Sequence, residues 1–315
     1  MLAAKVRSGL EETFHDGAVA VSDPGGTLLA WSGEIDRPFY LRSSAKPFQA
    51  FVSQGAGAGL NPVELALVSA SHRGHPVQIA LVESILAQVG LDESSLRCPH
   101  DWPSNDHAHV RLIRQGELHP RRIWHNCSGK HAGFLRACVA KDWPTQGYLS
   151  PDHPLQRQIL DYISDLGGYP VGPVGVDGCG APVLRTTTRV MSVLFARLAT
   201  DPELSEVFAS MHRYPALIGG NGEGDSAIAT VTNSVAKGGA VGCIGVGLGS
   251  GVGLAVKSWD GLNQMADLAA IAALDALGAL PAPALPYLDE WARPPQMGGG
   301  EPRGVAESRL ELQFT

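Results

Sequence analysis

The stretch LRSSAKPFQA, residues 41–50, places a serine and a lysine three positions apart at the start of an apolar segment. In a helix, residues with this spacing lie on one face, one turn apart. Proline is tolerated only in the first turn of a helix, so Pro47 predicts that a helix begins at the serine pair. Either Ser43 or Ser44 caps this helix and Lys46 is solvated, or Lys46 takes the proton of a nucleophilic Ser43. Spacing alone favours the capped helix.

The remaining patterns predict a mixed α/β sandwich, because strands lie towards both ends of the chain with helices between them. Strand patterns occur as a hairpin at Gly17–Trp31, as paired strands at Ser234–Val246 and Gly251–Trp259, and as an edge strand at Ser308–Phe314. Helices are expected from the serine pair to Ser53, at Val63–Ser69 with Asn61 as N-cap, and at Val77–Val89, Leu155–Leu166, Arg189–Ala199 and Gly261–Leu280. We expect a single catalytic domain, 1–315, with a Pro/Gly-rich loop near 281–304.

Composition narrows the class of protein. The chain has 315 residues, 44% of them hydrophobic and 17% charged, which is typical of a globular protein with a sizeable core. A net charge of −7 argues against nucleic acid as a partner. We see no signal peptide and no apolar run of about 18 residues, and so expect a cytoplasmic protein without a membrane partner. Five cysteines do not indicate a disulfide framework, and three are expected in the core: Cys98, Cys138 and Cys243.

Two further motifs favour a catalytic role for Ser43 and Lys46. Ser71 lies in VSASHRGHP, residues 68–76, where a tight turn after a helix presents a hydroxyl. Lys237 opens a Lys-x-Gly motif on a glycine-rich strand, which resembles the Lys-Thr-Gly element of serine β-lactamases and penicillin-binding proteins. There the missing side chains let substrate lie against the strand. The alternatives are a plain loop serine and an exposed lysine at a strand end.

A pair of cysteine loops suggests a metal. WHNCSGKHAG (124–133) contains Cys127 and Lys130, and GVDGCGAP (175–182) contains Cys179. Two thiolates from separate loops suit zinc, and a lysine binds zinc only as the neutral amine. The alternative is two buried structural cysteines, with Asn126 or Ser128 capping a helix. The glycine-rich GGNGEGD (219–225) matches neither a dinucleotide-binding nor a phosphate-binding motif, so we expect a turn there.

In their order, these motifs resemble the asparaginase II family, in particular the rhizobial-type (class 3) L-asparaginases. The resemblance runs over residues 6–260, from VRSGLEETFHDGAVAV through LRSSAKPFQA, SASHRGHP, WHNCSGKHAG, VDGCGAP and GGNGEGD to AKGGAVG. It implies a serine β-lactamase/penicillin-binding-protein-like fold, with a mixed, mainly antiparallel sheet and flanking helices. It also implies a homodimeric amidohydrolase that converts L-asparagine to L-aspartate and ammonia.

The resemblance assigns two catalytic Ser–Lys pairs, Ser43 with Lys46 and Ser71 with Lys237, for which Lys257 is the fallback. It implies a zinc ion that orients substrate or stabilises the structure, held by Cys127, Lys130 and Cys179. Substrate-binding residues are expected to be Arg42, His72, Cys127, Lys130 and Asp177.

One position departs from the family pattern, and two other functions stay open. Val241 stands in KGGAVG where the family has a glutamate, which would bias the protonation of the neighbouring lysine. Either Ser43 or Ser71 serves as the nucleophile. The alternatives to an asparaginase are a β-lactamase or carboxypeptidase-like hydrolase, and a non-catalytic binding protein on the same scaffold.

Overall fold

The computed structural model describes residues 1–315 and divides them into two compact units. The sheet unit consists of Met1–Ser44, Thr186–Ser205 and Asn221–Thr315, and the helical unit of Ala45–Arg185 and Glu206–Gly220. The chain passes from one unit to the other inside the serine stretch. The expectation of a single catalytic domain stays a prediction.

The bounds of the elements follow the chain. The strands are β1 (Ala3–Arg7), β2 (Leu10–His15), β3 (Gly17–Ser22), β4 (Leu28–Ser32), β5 (Phe39–Tyr40), β6 (Gly175–Val176), β7 (Pro182–Val183), β8 (Arg185–Thr186), β9 (Ser234–Gly239), β10 (Cys243–Leu248), β11 (Gly253–Ser258), β12 (Pro295–Gly298), β13 (Glu301–Ser308) and β14 (Gln313–Phe314). The helices are α1 (Lys46–Ser53), α2 (Pro62–Val68), α3 (Pro76–Ala87), α4 (Asp106–Arg114), α5 (Ser128–Ala140), α6 (Pro154–Gly167), α7 (Thr188–Thr200), α8 (Ser205–Arg213), α9 (Pro215–Ile218), α10 (Gly224–Val231), α11 (Asn263–Ala276) and α12 (Ala284–Ala292). None of these helices combines the length and apolarity needed to cross a membrane.

The sheet unit is built on two antiparallel sheets. Six strands lie in the order β14-β4-β3-β11-β10-β9, and four in the order β12-β13-β1-β2. Helices α7 and α11 pack on the six-stranded sheet, and α10 packs on its edge strand β9. Helix α12 packs on α11. The predicted mainly antiparallel sheet with flanking helices is confirmed.

The glycine- and valine-rich strands have a different residue type for each face. Because successive side chains of a strand point to opposite faces, Val19 and Val21 enter one core cluster together with α11, whereas Ala18 and Ala20 lie in another. On β10, a Cβ at Gly245 would overlap the ring of Phe195 of α7. Glycine therefore lets α7 approach the sheet closely, while valine fills the core on the side of α11.

Several predicted elements are confirmed, and one is split. The hairpin predicted at Gly17–Trp31 is formed by β3 and β4. The strand expected over Ser234–Val246 is two strands, β9 and β10, which reverse direction at Ala240–Gly242. Val241 (φ 67°) and Gly242 (φ 72°) both adopt the left-handed conformation in this turn. A β-branched residue is rare there, so the sequence gives no turn signal at this position.

The prediction of a Pro/Gly-rich loop near 281–304 is wrong, because α12, β12 and most of β13 lie there. Gly299 and Gly300, at φ 63° and 84°, make the tight turn between β12 and β13. Pro295 begins β12 at the edge of its sheet, a position where the missing N–H costs no ladder hydrogen bond. The final edge strand is confirmed only as β14, which pairs with β4.

The helical unit packs α5 closely against α2. A Cβ at Gly129 would lie 2.9 Å from the Leu67 carbonyl oxygen, and a Cβ at Gly133 would lie 2.6 Å from Val68. Asn61 caps α2 as predicted, and Glu64 completes the capping box. Because α5 begins close to the end of α2, the loop that carries Ser71 lies near the start of α5.

Candidate active site

Lys46 is buried at the first position of α1 and points at Ser71. Its Nζ donates to Ser71 Oγ at 2.9 Å, to the Ala70 carbonyl at 2.8 Å and to the Asn126 carbonyl at 3.4 Å. Lys46 is 0% exposed, so the interpretation of a solvated lysine is wrong. These three acceptors match the three N–H groups of an ammonium; once neutral, the same amine has a lone pair beside the Ser71 hydroxyl and can act as a general base.

The serine pair does not cap α1. The N-cap is Ala45, with no side-chain hydrogen bond, and residues Arg42–Ala45 form a 3₁₀ turn before the helix. Ser44 is buried, and its hydroxyl donates to the Lys237 carbonyl at 3.4 Å. Ser43 is half-buried, and its hydroxyl has no hydrogen-bond partner within the chain. Of the two serines, Ser43 is therefore the one with a free hydroxyl.

Backbone strain occurs directly before Ser43. Arg42 has φ 52°, a left-handed conformation that is uncommon for residues other than glycine. Such strain costs about 1–3 kcal/mol and is concentrated at functional sites. The predicted contact of Arg42 with substrate stays a prediction, but its conformation supports a functional role for this turn.

Lys237 lies on β9 and forms an ion pair that sequence reasoning missed. Its Nζ donates to Asp225 Oδ2 at 3.3 Å and to the Gly238 carbonyl at 2.6 Å. Lys237 is 1% exposed. Asp225 ends the GGNGEGD motif, whose glycines and acidic residue were the available signal. Ser71 belongs to the helical unit and Lys237 to the sheet unit, so their predicted pairing stays a prediction.

The glycine of the Lys-x-Gly motif has a structural explanation. A Cβ at Gly239 would lie 2.8 Å from Ser44 Oγ and 3.0 Å from the Leu41 carbonyl oxygen. Glycine at this position makes room for the serine stretch of the protein itself. The fallback lysine, Lys257, is engaged elsewhere, with its Nζ 2.6 Å from the Val241 carbonyl.

His72 uses both ring nitrogens inside the helical unit. The Gly74 N–H donates to Nδ1 at 3.2 Å, so Nε2 carries the proton and donates to Ser128 Oγ at 2.7 Å. Burial, followed by the charge of Lys46, lowers the pKa of His72 to about 3. A neutral His72 therefore ties the Ser71 loop to the start of α5. Its role in substrate binding stays a prediction.

The predicted zinc ligands meet in the helical unit. Lys130 Nζ lies 3.2 Å from Cys179 Sγ. The interaction with Cys127, followed by the charge of Lys130, holds the pKa of Cys179 well below its usual value, despite burial. Burial lowers the pKa of Lys130, but the cysteines and Asp177 outweigh it and raise that pKa.

This cluster fits a soft metal ion by its donor chemistry. Cys127, Lys130 and Cys179 bring two sulfurs and a nitrogen into one buried group, and this nitrogen becomes a metal donor only when Lys130 gives up the proton that its raised pKa favours. The neighbouring His131 is buried, and its interaction with Cys179 also lowers the pKa of that thiol. The N-cap of α5 is Cys127, without a side-chain cap, so neither Asn126 nor Ser128 caps this helix. Cys98, Cys138 and Cys243 are buried and unpaired, as predicted for core residues.

Comparison with solved structures finds similarities at low sequence identity. A β-lactamase from Mycobacterium bovis is 18% identical, over 84% of this chain and 95% of that chain, with a TM-score of 0.44. A Bacillus glutaminase is 12% identical, over 84% and 91%, with a TM-score of 0.40. Mglu in its tris and glutamate form is 16% identical, over 89% and 63%, with a TM-score of 0.39; this chain thus spans less than two thirds of Mglu. At these TM-scores, the similarity says nothing about the chemistry of the chain.

A search of curated proteins finds no match. The family model of L-asparaginase II matches residues 3–308, which is nearly the whole chain. The match includes every motif discussed above, from the serine stretch to the Lys-x-Gly strand. The chain therefore belongs to the L-asparaginase II family.

Proposed function

We propose that the chain is an L-asparaginase of the rhizobial type (class 3), which hydrolyses the side-chain amide of L-asparagine to L-aspartate and ammonia. Membership of the L-asparaginase II family makes it an amidohydrolase. The observation that carries the proposal is the buried contact between Lys46 Nζ and Ser71 Oγ. We further propose that it acts in the cytoplasm as a homodimer.

The reaction is an acyl transfer through a serine. Ser43 is proposed as the nucleophile, because its hydroxyl has no other partner in the chain. Lys46 and Ser71 form the base, in which the neutral amine of Lys46 accepts the proton released by the nucleophile. Lys237 is proposed to donate a proton to the leaving ammonia. Water then hydrolyses the acyl-enzyme and releases aspartate. If Ser71 is the nucleophile instead, Ser43 assists.

Zinc is proposed to bind Cys127, Lys130 and Cys179. When bound, the ion supplies a positive charge that orients a polar group of the substrate. Asp177 carries the charge opposite to the substrate's α-ammonium group. It is half-buried, and its carboxylate accepts from the Gly178 N–H at 2.8 Å, so the loop fixes its direction.

Three substrates test the proposal. Ammonia release is measured with L-asparagine and with L-glutamine, and hydrolysis of a chromogenic cephalosporin is followed by absorbance. We expect turnover of asparagine above that of the other two. Preferential turnover of the cephalosporin would make the protein a β-lactamase. Binding of asparagine without turnover of any substrate would make it a binding protein.

A further inference from the structure

One carboxylate oxygen of Asp225 accepts two hydrogen bonds from strand β9. Its Oδ2 accepts from Lys237 Nζ at 3.3 Å and from the Gly238 N–H at 2.9 Å. Its Oδ1 accepts from the Ser226 N–H at 2.7 Å. Asp225 is 6% exposed and lies in the first turn of α10, where a negative charge is favoured by the helix dipole. This carboxylate is thus fixed in direction before any substrate arrives.

A second acid, Asp267, interacts with Asp225, and its neutral form is favoured. Burial, then the charges of Asp225 and Glu223, raise the pKa of Asp267 well above its usual value, against the effect of Lys237. A Cβ at Gly224 would overlap the Asp267 carboxyl group, so glycine is needed where α10 begins. The group therefore contains one buried ammonium and one buried carboxylate. A matched pair of this kind costs far less to bury than either charge alone.

We infer that Asp225 is the positioning residue of Lys237: it holds the ammonium against the Gly238 carbonyl, so that Lys237 acts as a fixed proton donor and not as the first base. The inference rests on the proposed function, in which Lys237 is catalytic.

The two lysines then work in opposite protonation states. As the nucleophilic serine attacks the amide carbon, its proton goes to the neutral amine of Lys46. The C–N bond breaks with a proton from Lys237, so ammonia leaves and Lys237 becomes neutral. Water next attacks the acyl carbon and returns a proton to Lys237, while the serine oxygen leaves with the proton of Lys46. Both lysines end as they began.

The variant Asp225→Asn tests this role, with Asp36→Asn as the matched control. Asp36 pairs with Arg189 in the same unit. Without its counter-charge, a buried ammonium loses its proton more readily. We expect kcat for asparagine to fall about tenfold to a hundredfold at little change in KM, and the alkaline limb of the kcat profile to move to lower pH. Asp225→Glu should restore the position of that limb.

The charged and titratable groups around Lys237 enter that profile as well. They face it from α10, from the loop before it, from α11 and from β10: Asp225, Glu223, Asp267 and Cys243. None of these changes in the control variant. An alkaline limb that Asp225→Asn leaves in place, with kcat unchanged, overturns the inference. If Asp225→Asn does not fold, as judged by circular dichroism, the same profiles are recorded for Asp225→Ser, which also removes the carboxylate, and an unchanged alkaline limb and kcat in that variant overturn the inference.

A failure of the proposed function is distinguishable from a failure of the inference. If the wild type releases no ammonia, the same profiles are recorded with 4-nitroacetanilide, an amide whose leaving amine also needs a proton as the C–N bond breaks. A shifted alkaline limb there supports the role of Asp225 although the proposed substrate is wrong. Absence of turnover of both compounds contradicts the function and the inference together.

Discussion

Lys46 Nζ lies 2.9 Å from Ser71 Oγ, and both groups are held inside the helical unit. The contact joins the first turn of α1 to the loop after α2. It makes Lys46 the partner of Ser71, whereas the sequence pattern pairs Lys46 with Ser43. The chemical role of the opening motif thus depends on a residue that the motif does not contain.

Replacement of Lys46 by methionine should remove the base and leave the volume of the side chain. We expect kcat for asparagine to fall about a hundredfold to ten-thousandfold, which is the usual share of a general base. The exposed Lys141, at the end of α5, is the control, and Lys141→Met should keep wild-type activity. Ammonia release measures both variants. A Lys46→Met enzyme that is as active as the control would remove Lys46 from the mechanism.

Val241 should be replaceable with a gain in stability. It adopts φ 67° and is 52% exposed, so it pays a strain that asparagine tolerates better. We expect Val241→Asn to raise the free energy of unfolding by about 1 kcal/mol. Val110→Asn, an exposed helical position, should give no such gain. Urea unfolding of both variants decides, and a loss of stability in Val241→Asn would show that the turn favours valine.

The burial of neutral His72 should make stability depend on pH. The folded-state pKa of about 3 lies below the ordinary value of 6.5, so the unfolded chain binds a proton that the folded chain does not. This contribution is complete above pH 6.5 and is lost as the pH falls towards 3. Its slope is about 1.4 kcal/mol per pH unit for one proton. His72→Asn, which keeps a polar side chain but has no titrating group, should flatten the dependence between pH 6 and pH 4. The free energy of unfolding is measured with denaturant at each pH. If its slope against pH is the same in His72→Asn as in the wild type, the prediction is contradicted.

Zinc occupancy should depend on the cysteine loops. Purified protein is analysed for metal by mass spectrometry before and after dialysis against a chelator. We expect about one zinc ion per chain in the wild type and a loss of most of it in Cys179→Ser. Cys138→Ser, which changes a buried core cysteine in α5, should keep the metal. Equal zinc content in the two variants would exclude the predicted ligand set.

Local signals in the sequence were sufficient for six of the twelve helices and for the hairpin of β3 and β4. The N-cap Asn61 and the prolines at the starts of α2 and α6 mark helix boundaries by backbone chemistry alone. The turn at Val241 has no such signal, because it places a β-branched residue in a conformation that usually requires glycine. The helix and strands after residue 280 were missed for the opposite reason. Their prolines and glycines indicate a loop, but they stand at the ends of regular elements.

The sequence identified most residues of the candidate site, but it did not identify which of them contact each other. Lys46, Ser71, Cys127, Lys130 and Cys179 were identified from motifs, and the contacts among them follow from the packing of α1, α2 and α5. Asp225 could not be assigned to Lys237 from the sequence, because only the pairing of α10 with β9 brings the two together. An ion pair of this kind depends on tertiary structure and leaves no spacing pattern.

The most direct test of the central claim is the rate of ammonia release from L-asparagine by the wild type and by Ser43→Ala, with Ser44→Ala as the control. Ser44 is buried and bonded to the Lys237 carbonyl, so its loss tests local packing without removing the free hydroxyl. We predict steady turnover by the wild type and by Ser44→Ala, and a loss of at least about a thousandfold in Ser43→Ala. Full activity in Ser43→Ala would contradict its role as nucleophile, and the absence of ammonia release by the wild type would contradict the proposed function itself.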